Sequence, residues 1–278
     1  MSPAFAIAEV IWMVNGRNDA AFLNYFNRRL PAFAGSGDTY HGAYGFRLRS
    51  AFGVDQLSQA ASALRGRNDS RQVVLQIWDC RCDLPDFSGA PQDPDIPCNI
   101  VSLLKVRDGK LHWTQVMRSN DLFLGLPHNI VQFTTIQEVM AGWIGVEVGQ
   151  YHHLSDSLHL YERNEYVFGS FTKQTFPENT DRIDFPEQQS NEAFQKLAYY
   201  IERIINLQIG VEALLDDFNT IDLPKAFRNW LAVLIAEGCL RRQRESDALQ
   251  VIDKCENPCL VFLWKRWLVR KKGENRPI

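Results

Sequence analysis

Three stretches of the chain concentrate side chains with reactive or anion-binding chemistry: PCN (97–99), MRSNDLFLGLPHNI (117–130) and SLHLY (157–161). A cysteine that leaves an irregular, proline-bearing segment and enters a strand can present its thiol at a sheet edge. Arg118 nearby would lower the pKa of Cys98 and make it a nucleophile. Arg118 and Ser119 at the end of a strand offer a two-pronged donor and a hydroxyl, a pairing suited to phosphate. Asn129, in a Gly-Leu-Pro-His-Asn turn, carries a donor and an acceptor side by side and can read a pyrimidine edge. Singly, a cysteine, an Arg-Ser pair or a histidine is more often structural than functional. Their order and spacing along one chain carry the information.

The elements around these residues read as follows. Residues 3–30 have helical apolar spacing, broken at Gly16-Arg17-Asn18-Asp19, and the glycine-rich LPAFAGSGDTYHGAYG is a loop. A helix is expected over Val54–Leu64 and a buried-strand run at VVLQIW (73–78), after which CRCDLPDFSGAPQDPDIP is irregular and delivers the chain to Cys98. Strands over Ile100–Val106 and Lys110–Met117 are joined by Arg107-Asp108-Gly109, a hairpin signal. A helix over Val131–Trp143 and a strand region through Tyr151–Tyr161 follow. Beyond the proline-punctuated TFPENTDRIDFPEQQ, three segments with a three-to-four-residue apolar period predict a helical region from 188 onward. Its closing WKRWLVRKKGENR is read as an amphipathic packing helix with a solvated tail rather than a contact for an anionic surface.

Composition bounds the function. The 278 residues carry a net charge of −3, with 45% hydrophobic and 23% charged residues, which excludes disordered and fibrous classes. That charge also argues against coating nucleic acid, so no direct nucleic-acid binding is expected, while one small anion remains within reach of a few arginines. No apolar run is long enough for a membrane span, and the start of the chain lacks a signal-peptide pattern, so the cytoplasm is the expected compartment. Six cysteines, including the pairs Cys80/Cys82 and Cys255/Cys259, are not spaced as zinc ligands and are expected as free thiols, with no metal site.

From about Asp69 to Asn164 the chain resembles the thymidylate synthase superfamily, which includes the pyrimidine nucleotide hydroxymethylases. The resemblance is carried by DSR (69–71), PC (97–98), DGKL (108–111), RSNDLFLGLPHNI (118–130) and the HLY of SLHLY. It continues more faintly upstream through EVIWMVNGRND (9–19) and HGAYGFRLR (41–49). The resemblance implies an α+β fold, a thymidylate synthase-like mixed sheet with covering helices, plus an α-helical C-terminal region. Residues 1–165 would form the catalytic core, 166–187 a linker and 188–278 a helical extension.

The resemblance also implies a mechanism and its residues. Cys98 would attack C6 of a pyrimidine nucleotide, making C5 nucleophilic toward the one-carbon unit of 5,10-methylenetetrahydrofolate. Glu9 matches the glutamate that manages protons at O4 and the folate, and Tyr44 the tyrosine associated with loss of the C5 proton. Arg118 and Ser119 would hold the phosphate, Arg118 also supporting the thiolate, while His159 and Tyr161 would bind the sugar 3′-hydroxyl. Asp121 matches the aspartate that orients the pterin, Gly125 the glycine beside the base, and Arg71 an arginine donated across a homodimer interface built from two sheets face to face. Asn129 stands where uracil-using members carry asparagine and cytosine hydroxymethylases carry aspartate, which favours a uracil nucleotide, dUMP or UMP.

The departures bear on the outcome. The family's N-terminal segment, with a further phosphate arginine, has no counterpart, and Gln72 replaces the second arginine of the usual pair. Asn99 replaces the histidine after the nucleophile, Phe33 is the stand-in for a tryptophan lining the folate site, and GENRPI is not the small hydrophobic tail that closes over folate. Hydride transfer from folate needs that closure, and RSND and SLHLY are similar to the hydroxymethylase branch. Hydroxymethylation is therefore the favoured outcome. Reductive methylation of dUMP, hydroxymethylation of a cytosine nucleotide and a non-catalytic nucleotide-binding homologue stand as alternatives.

Overall fold

A computed structural model of the chain describes residues 2–162, 164 and 175–273. Residues 166–174 of the expected linker and the closing residues 274–278 lie outside the described residues. The first helix, α1 (Pro3–Val14), starts where Ser2 Oγ accepts from the Phe5 amide at 3.4 Å, with Pro3 in the first turn. Every residue of α1 is buried except Glu9, which is half-buried. A helix apolar on all sides must lie between two layers.

Short helices α2 (Ala20–Asn24), α3 (Pro31–Ala34) and α4 (Tyr44–Phe46) follow, α4 running into a π-helical turn, Arg47–Ala51. Helix α5 (Gln56–Gly66) is capped by Asp55, whose Oδ1 accepts from the Ser58 amide. The strands are β1 (Val74–Gln76), β2 (Asn99–Arg107), β3 (Lys110–Asp121) and β4 (Glu147–His159), in spatial order 1-2-3-4. β1–β2 and β2–β3 are antiparallel, whereas β3 and β4 are parallel and joined by helix α6 (Gly125–Ile144). The β2–β3 hairpin turns at Asp108 and Gly109, both at positive φ (52° and 71°), the twist that two-residue hairpins prefer.

Two expectations change here. VVLQIW is not a buried strand: only 74–76 are in the ladder, at a sheet edge, and Val73, Leu75 and Ile77 point inward while Val74 is 53% exposed. Helix α6 starts at Gly125, not Val131, so Asn129 sits on a helix and not in a turn. Pro127 does not prevent this, because amides in the first helical turn have no intrahelical partner to lose.

Leu104, Val106, Leu111 and Trp113 of the sheet pack against Phe133, Ile136 and Met140 of α6, and α1 and α5 cover α6 in turn. The C-terminal helices are α7 (Glu187–Ile205), α8 (Val211–Thr220), α9 (Lys225–Arg241), α10 (Glu245–Ile252) and α11 (Pro258–Gly273). They do not stand apart as an appendage. α7, α9 and α11 close over the far side of α1, Asn15 Nδ2 donates to the Phe194 carbonyl, and one apolar core runs through both halves. Among the described residues, no helix is long and apolar enough to cross a membrane.

This shared core predicts cooperative unfolding. Phe227 on α9 is fully buried, with its ring 5.3, 5.2 and 5.7 Å from those of Phe185, Phe194 and Trp230. Phe227→Ala should cost about 3–5 kcal/mol. In denaturant titrations, tryptophan fluorescence and the alkylation of Cys98 should shift together; a Cys98 transition left at its wild-type midpoint would show two independent units.

Candidate active site

The parallel strands β3 and β4, the start of β2 and the start of α6 all meet at one end of the sheet. The chain before β2 supplies Cys98, whose carbonyl accepts from the Arg118 amide at 2.9 Å and so ties it to β3. Tyr44 is brought to the same place by two close approaches. A Cβ on Gly45 would lie 2.3 Å from Met13 Cα, so only glycine lets α4 rest on α1. Gly42 donates its amide to Asp95 Oδ2 at 2.8 Å, clamping the turn before Tyr44 onto the segment that leads to Cys98.

The Arg118 guanidinium grips that segment as well. Its Nε donates to the Pro97 carbonyl at 3.0 Å and Nη2 to the Ile96 carbonyl at 3.1 Å, with Nη2 4.0 Å from Cys98 Sγ. Among the described residues Nη1 makes no hydrogen bond, which leaves one edge of the guanidinium for an anion. The expectation that Arg118 lowers the thiol pKa is met only in sign. Burial pushes the Cys98 thiol up, Arg118 pulls it down by less, and Asp95 adds a further upward push. The net result is a thiol above its ordinary value.

Glu9 and His128 face each other across α1 and α6. Their Oε2 and Nδ1 atoms are 3.3 Å apart, both are buried, and neither makes a hydrogen bond. Tyr44 lies within electrostatic reach of Cys98 and Glu9 and against the Asn99 side chain, and its burial holds the hydroxyl well above the usual phenol range. Asp121 ends β3; its Oδ1 accepts from the amides of Phe123 and Leu124 at 2.7 and 2.5 Å, while Oδ2 is buried without a partner. Ser119 pairs with Ser157, and Asp121 with His159, across the β3–β4 ladder. His159 and Tyr161 stack edge to face at 5.3 Å at the outer end.

Asn129 is buried in a run of amides. It donates through Nδ2 to Asn120 Oδ1 at 3.1 Å and accepts from Asn99 Nδ2 at 3.4 Å. Gly125 sits beneath them, where a Cβ would come within 3.1 Å of Asn120 Oδ1. Sequence reading missed His128, Asn120, Gln115 and His153, although Asn120 and His128 lie inside the motif that carried the resemblance.

Arg71, expected to act across a dimer interface, and Phe33 lie outside this end of the sheet. Arg71 is exposed beyond the β1 end that pairs near Leu103, at the opposite end of β2 from Cys98. Within one chain it cannot join Cys98. Phe33 is 53% exposed on α3, whose cap Gly35 rests against Pro94 of the segment leading to Cys98. It stands near the rim, not in the wall.

Among the described residues one cluster has metal-ligand chemistry: His41, Cys82 and Asp83. The buried Arg47 guanidinium already fills it, with Nη2 2.9 Å from both His41 Nε2 and Asp83 Oδ1 and Nη1 3.1 Å from Asp83 Oδ2. A fixed cation in the centre of the cluster excludes a second one. Its role is to tie the loop after β1 to the π-helical turn.

Comparison with known proteins bears on the family and the fold. The family model for thymidylate synthase matches residues 1–211, running on through α7 past the point where the sequence resemblance fades. A deoxyuridylate hydroxymethyltransferase of Pseudomonas phage M6 is 39% identical over 163 residues, 58% of this chain and 45% of that protein. One of Bacillus phage SP01 is 38% identical over 173 residues, 58% of this chain and 44% of that protein. A putative thymidylate synthase of Methanothermobacter marburgensis is 36% identical over 121 residues, 44% of this chain and 51% of that protein. The chain thus spans about half the length of the curated relatives it matches. The crystal structure of thymidylate synthase from T4 phage shares the fold, with a TM-score of 0.53 and 20% identity over 72% of this chain and 75% of that one. The α+β expectation therefore holds, and with a match across residues 1–211 the chain belongs to the thymidylate synthase family.

Proposed function

We propose that the protein transfers a one-carbon unit from 5,10-methylenetetrahydrofolate to C5 of a uracil nucleotide, through a covalent adduct of Cys98 at C6, and releases the 5-hydroxymethyl nucleotide. The observation that carries this reading is the convergence of a half-buried thiol, a guanidinium edge, the Glu9–His128 pair and the Asn129 amide at one end of the sheet. The names of the phage relatives support the uracil base and the hydroxymethyl product.

Each side chain has a task in this reading. The free edge of Arg118, with Ser119, takes the phosphate, and His159 and Tyr161 take the sugar hydroxyl. Asn129 accepts from N3–H and donates to O4. Attack of Cys98 Sγ on C6 forms the C–S bond and moves the C5=C6 electron pair toward O4, where that donor meets the developing charge. Covalent attack is needed because C5 of the intact ring is a poor nucleophile. Tyr44, kept a neutral phenol by burial, does not act as a phenolate base; its hydroxyl oxygen takes the C5 proton while its own proton passes to water.

Methylenetetrahydrofolate supplies the one-carbon unit that C5 captures. Asp121 Oδ2, a buried acceptor with no partner, fits the N–H donors of a pterin, and Phe33 offers an apolar face near the rim. Once C5 had lost its proton and the folate had departed with a proton on its nitrogen, C5 would carry an exocyclic methylene. Glu9, beside His128, takes a proton from water as the oxygen bonds to that methylene, and expulsion of Cys98 restores the C5=C6 bond. A polar Glu9–His128 pair that makes no hydrogen bond favours water addition over hydride transfer at this point.

A homodimer belongs to the same proposal. The sheet face opposite α6 bears an apolar stripe, Val101–Val116–Leu154 in register, beside Val74 and Leu103, with Leu154 58% exposed. A second copy laid on this face would cover the stripe, and it offers the route by which Arg71 could serve its partner's phosphate.

Release of tritium from C5-labelled nucleotide tests the reading. The wild type with dUMP and the folate donor should release label, and Cys98→Ser should lower the rate by roughly a thousandfold or more. The product should carry a hydroxymethyl group by mass; a methyl group would make the protein a synthase. No release from any of dUMP, UMP, dCMP or CMP would defeat the enzyme reading. Thiol chemistry gives a second test. Because burial outweighs Arg118, the rate of Cys98 alkylation in the free protein should reach half its maximum above the ordinary thiol value of about 8.5. Arg118→Gln should move that midpoint further up. A midpoint below the ordinary value, or one that falls in Arg118→Gln, would contradict the electrostatic account.

A further inference from the structure

An asparagine alone cannot tell uracil from cytosine. Turned over about its last bond, its amide meets N3–H and O4 of one base, or N3 and the amino group of the other, equally well. In this chain Asn129 is not free to turn. Trp113 Nε1 can only donate, and it does so to Gln115 Oε1 at 3.1 Å, while the Val101 carbonyl can only accept, from Gln115 Nε2 at 3.2 Å. Both ends of the Gln115 amide are thus assigned by partners that have a single role.

The assignment propagates. Gln115 Nε2 donates to Asn99 Oδ1 at 2.8 Å, which turns Asn99 Nδ2 toward Asn129 Oδ1 at 3.4 Å. Asn129 Nδ2 must then face Asn120 Oδ1, at 3.1 Å, and Asn120 Nδ2 faces Ser155 Oγ at 3.1 Å and His153 Nε2 at 2.9 Å. An amide N–H meets that ring nitrogen favourably only if it carries the lone pair. His153 therefore holds its proton on Nδ1, 2.8 Å from the Tyr151 hydroxyl. Burial lowers the His153 pKa, in keeping with a neutral ring. Gln115, Asn99, Asn120 and Asn129 are all buried, so water offers no alternative partners and the chain is constrained throughout.

We infer that Trp113, Gln115 and Asn99 on one side and Asn120 and His153 on the other are specificity-determining positioning residues: they form a one-way chain of hydrogen bonds that holds the Asn129 amide in a single orientation and so sets the choice between uracil and cytosine. This rests on the proposed reading of Asn129 as the residue that meets the base. None of the five is assigned to the base itself; they act through Asn129. The histidine tautomer at the end of the chain reports the direction of every amide before it.

Asn99→Asp reverses the chain without leaving a group unsatisfied. The carboxylate still accepts from Gln115 but cannot donate to Asn129, whose Nδ2 then turns toward it. Asn120 turns in response, its Oδ1 faces His153, the ring proton moves to Nε2, and the Tyr151 hydroxyl donates to Nδ1. In nitrogen-15 spectra of the free protein, with His153 assigned by its loss in His153→Asn, the wild type should show the Nδ1–H tautomer and Asn99→Asp the Nε2–H tautomer. The ratio of tritium release from dUMP to that from dCMP should fall in Asn99→Asp by about tenfold or more. An Nε2–H tautomer in the wild type overturns the inference with no variant needed. An unchanged tautomer in the folded variant, or a switched tautomer with an unchanged dUMP-to-dCMP ratio, overturns it as well. Failure of the functional reading is separate: it shows as no release by the wild type, whatever the tautomer.

Discussion

The hydrogen bonds that Asn129 makes on either side, to Asn99 at the start of β2 and to Asn120 near the end of β3, join the first turns of α6 to the sheet. Buried amides that lose a partner carry a penalty of about 1–3 kcal/mol each, so the helix cannot slide or rotate on the strands without breaking several at once. Most of the site hangs on that junction. Asp121 and Gly125 lead into α6, His128 precedes Asn129 on it, and Cys98 precedes Asn99 on the opposite strand. The apolar core beneath, from Trp113 to Phe133, supplies the bulk of the packing but would tolerate small shifts that this polar junction does not.

The electrostatics of Cys98 follow from the same burial. A half-buried thiol is disfavoured as thiolate, and one guanidinium at 4.0 Å, itself engaged by two backbone carbonyls, does not reverse this. Cys98 is therefore stored protonated in the free protein. Attack on a ring would be favoured only where the charge can pass on to O4, beside the amide of Asn129. Glu9 Oε2 and His128 Nδ1, 3.3 Å apart, are likewise buried and make no hydrogen bond.

Much of this was legible in the sequence, and the exceptions have physical causes. The β2–β3 hairpin announced itself through Asp108-Gly109, since few other pairs accept two positive φ values in succession. The motif residues around Cys98 and Arg118 were found because the chain itself brings them to one strand pair. That the C-terminal helices pack on α1 is not legible locally, because α7 looks amphipathic on its own and nothing local says what its apolar face covers. The clue lay instead in α1, whose apolar residues occupy every side and demand a second layer. His153 and Gln115 were missed because their contacts are tertiary: Asn120 meets His153 from 33 positions away, and β4 alternation alone does not show which histidine faces inward. Pro127 disguised the start of α6 as a turn, hiding that His128 and Asn129 share one helix with Phe133.

If Cys98 adds to C6 of a uracil nucleotide held against Asn129, a uracil nucleotide carrying fluorine at C5 traps the adduct, because fluorine cannot leave as a proton does and the adduct persists once C5 has captured the one-carbon unit. Incubation with 5-fluoro-dUMP and methylenetetrahydrofolate, followed by proteolysis and mass spectrometry, should find the nucleotide and folate together on the peptide that contains Cys98. The 5-fluoro-dCMP control should leave that peptide unmodified. An unmodified Cys98 with 5-fluoro-dUMP, or an adduct on any other cysteine, would contradict the account.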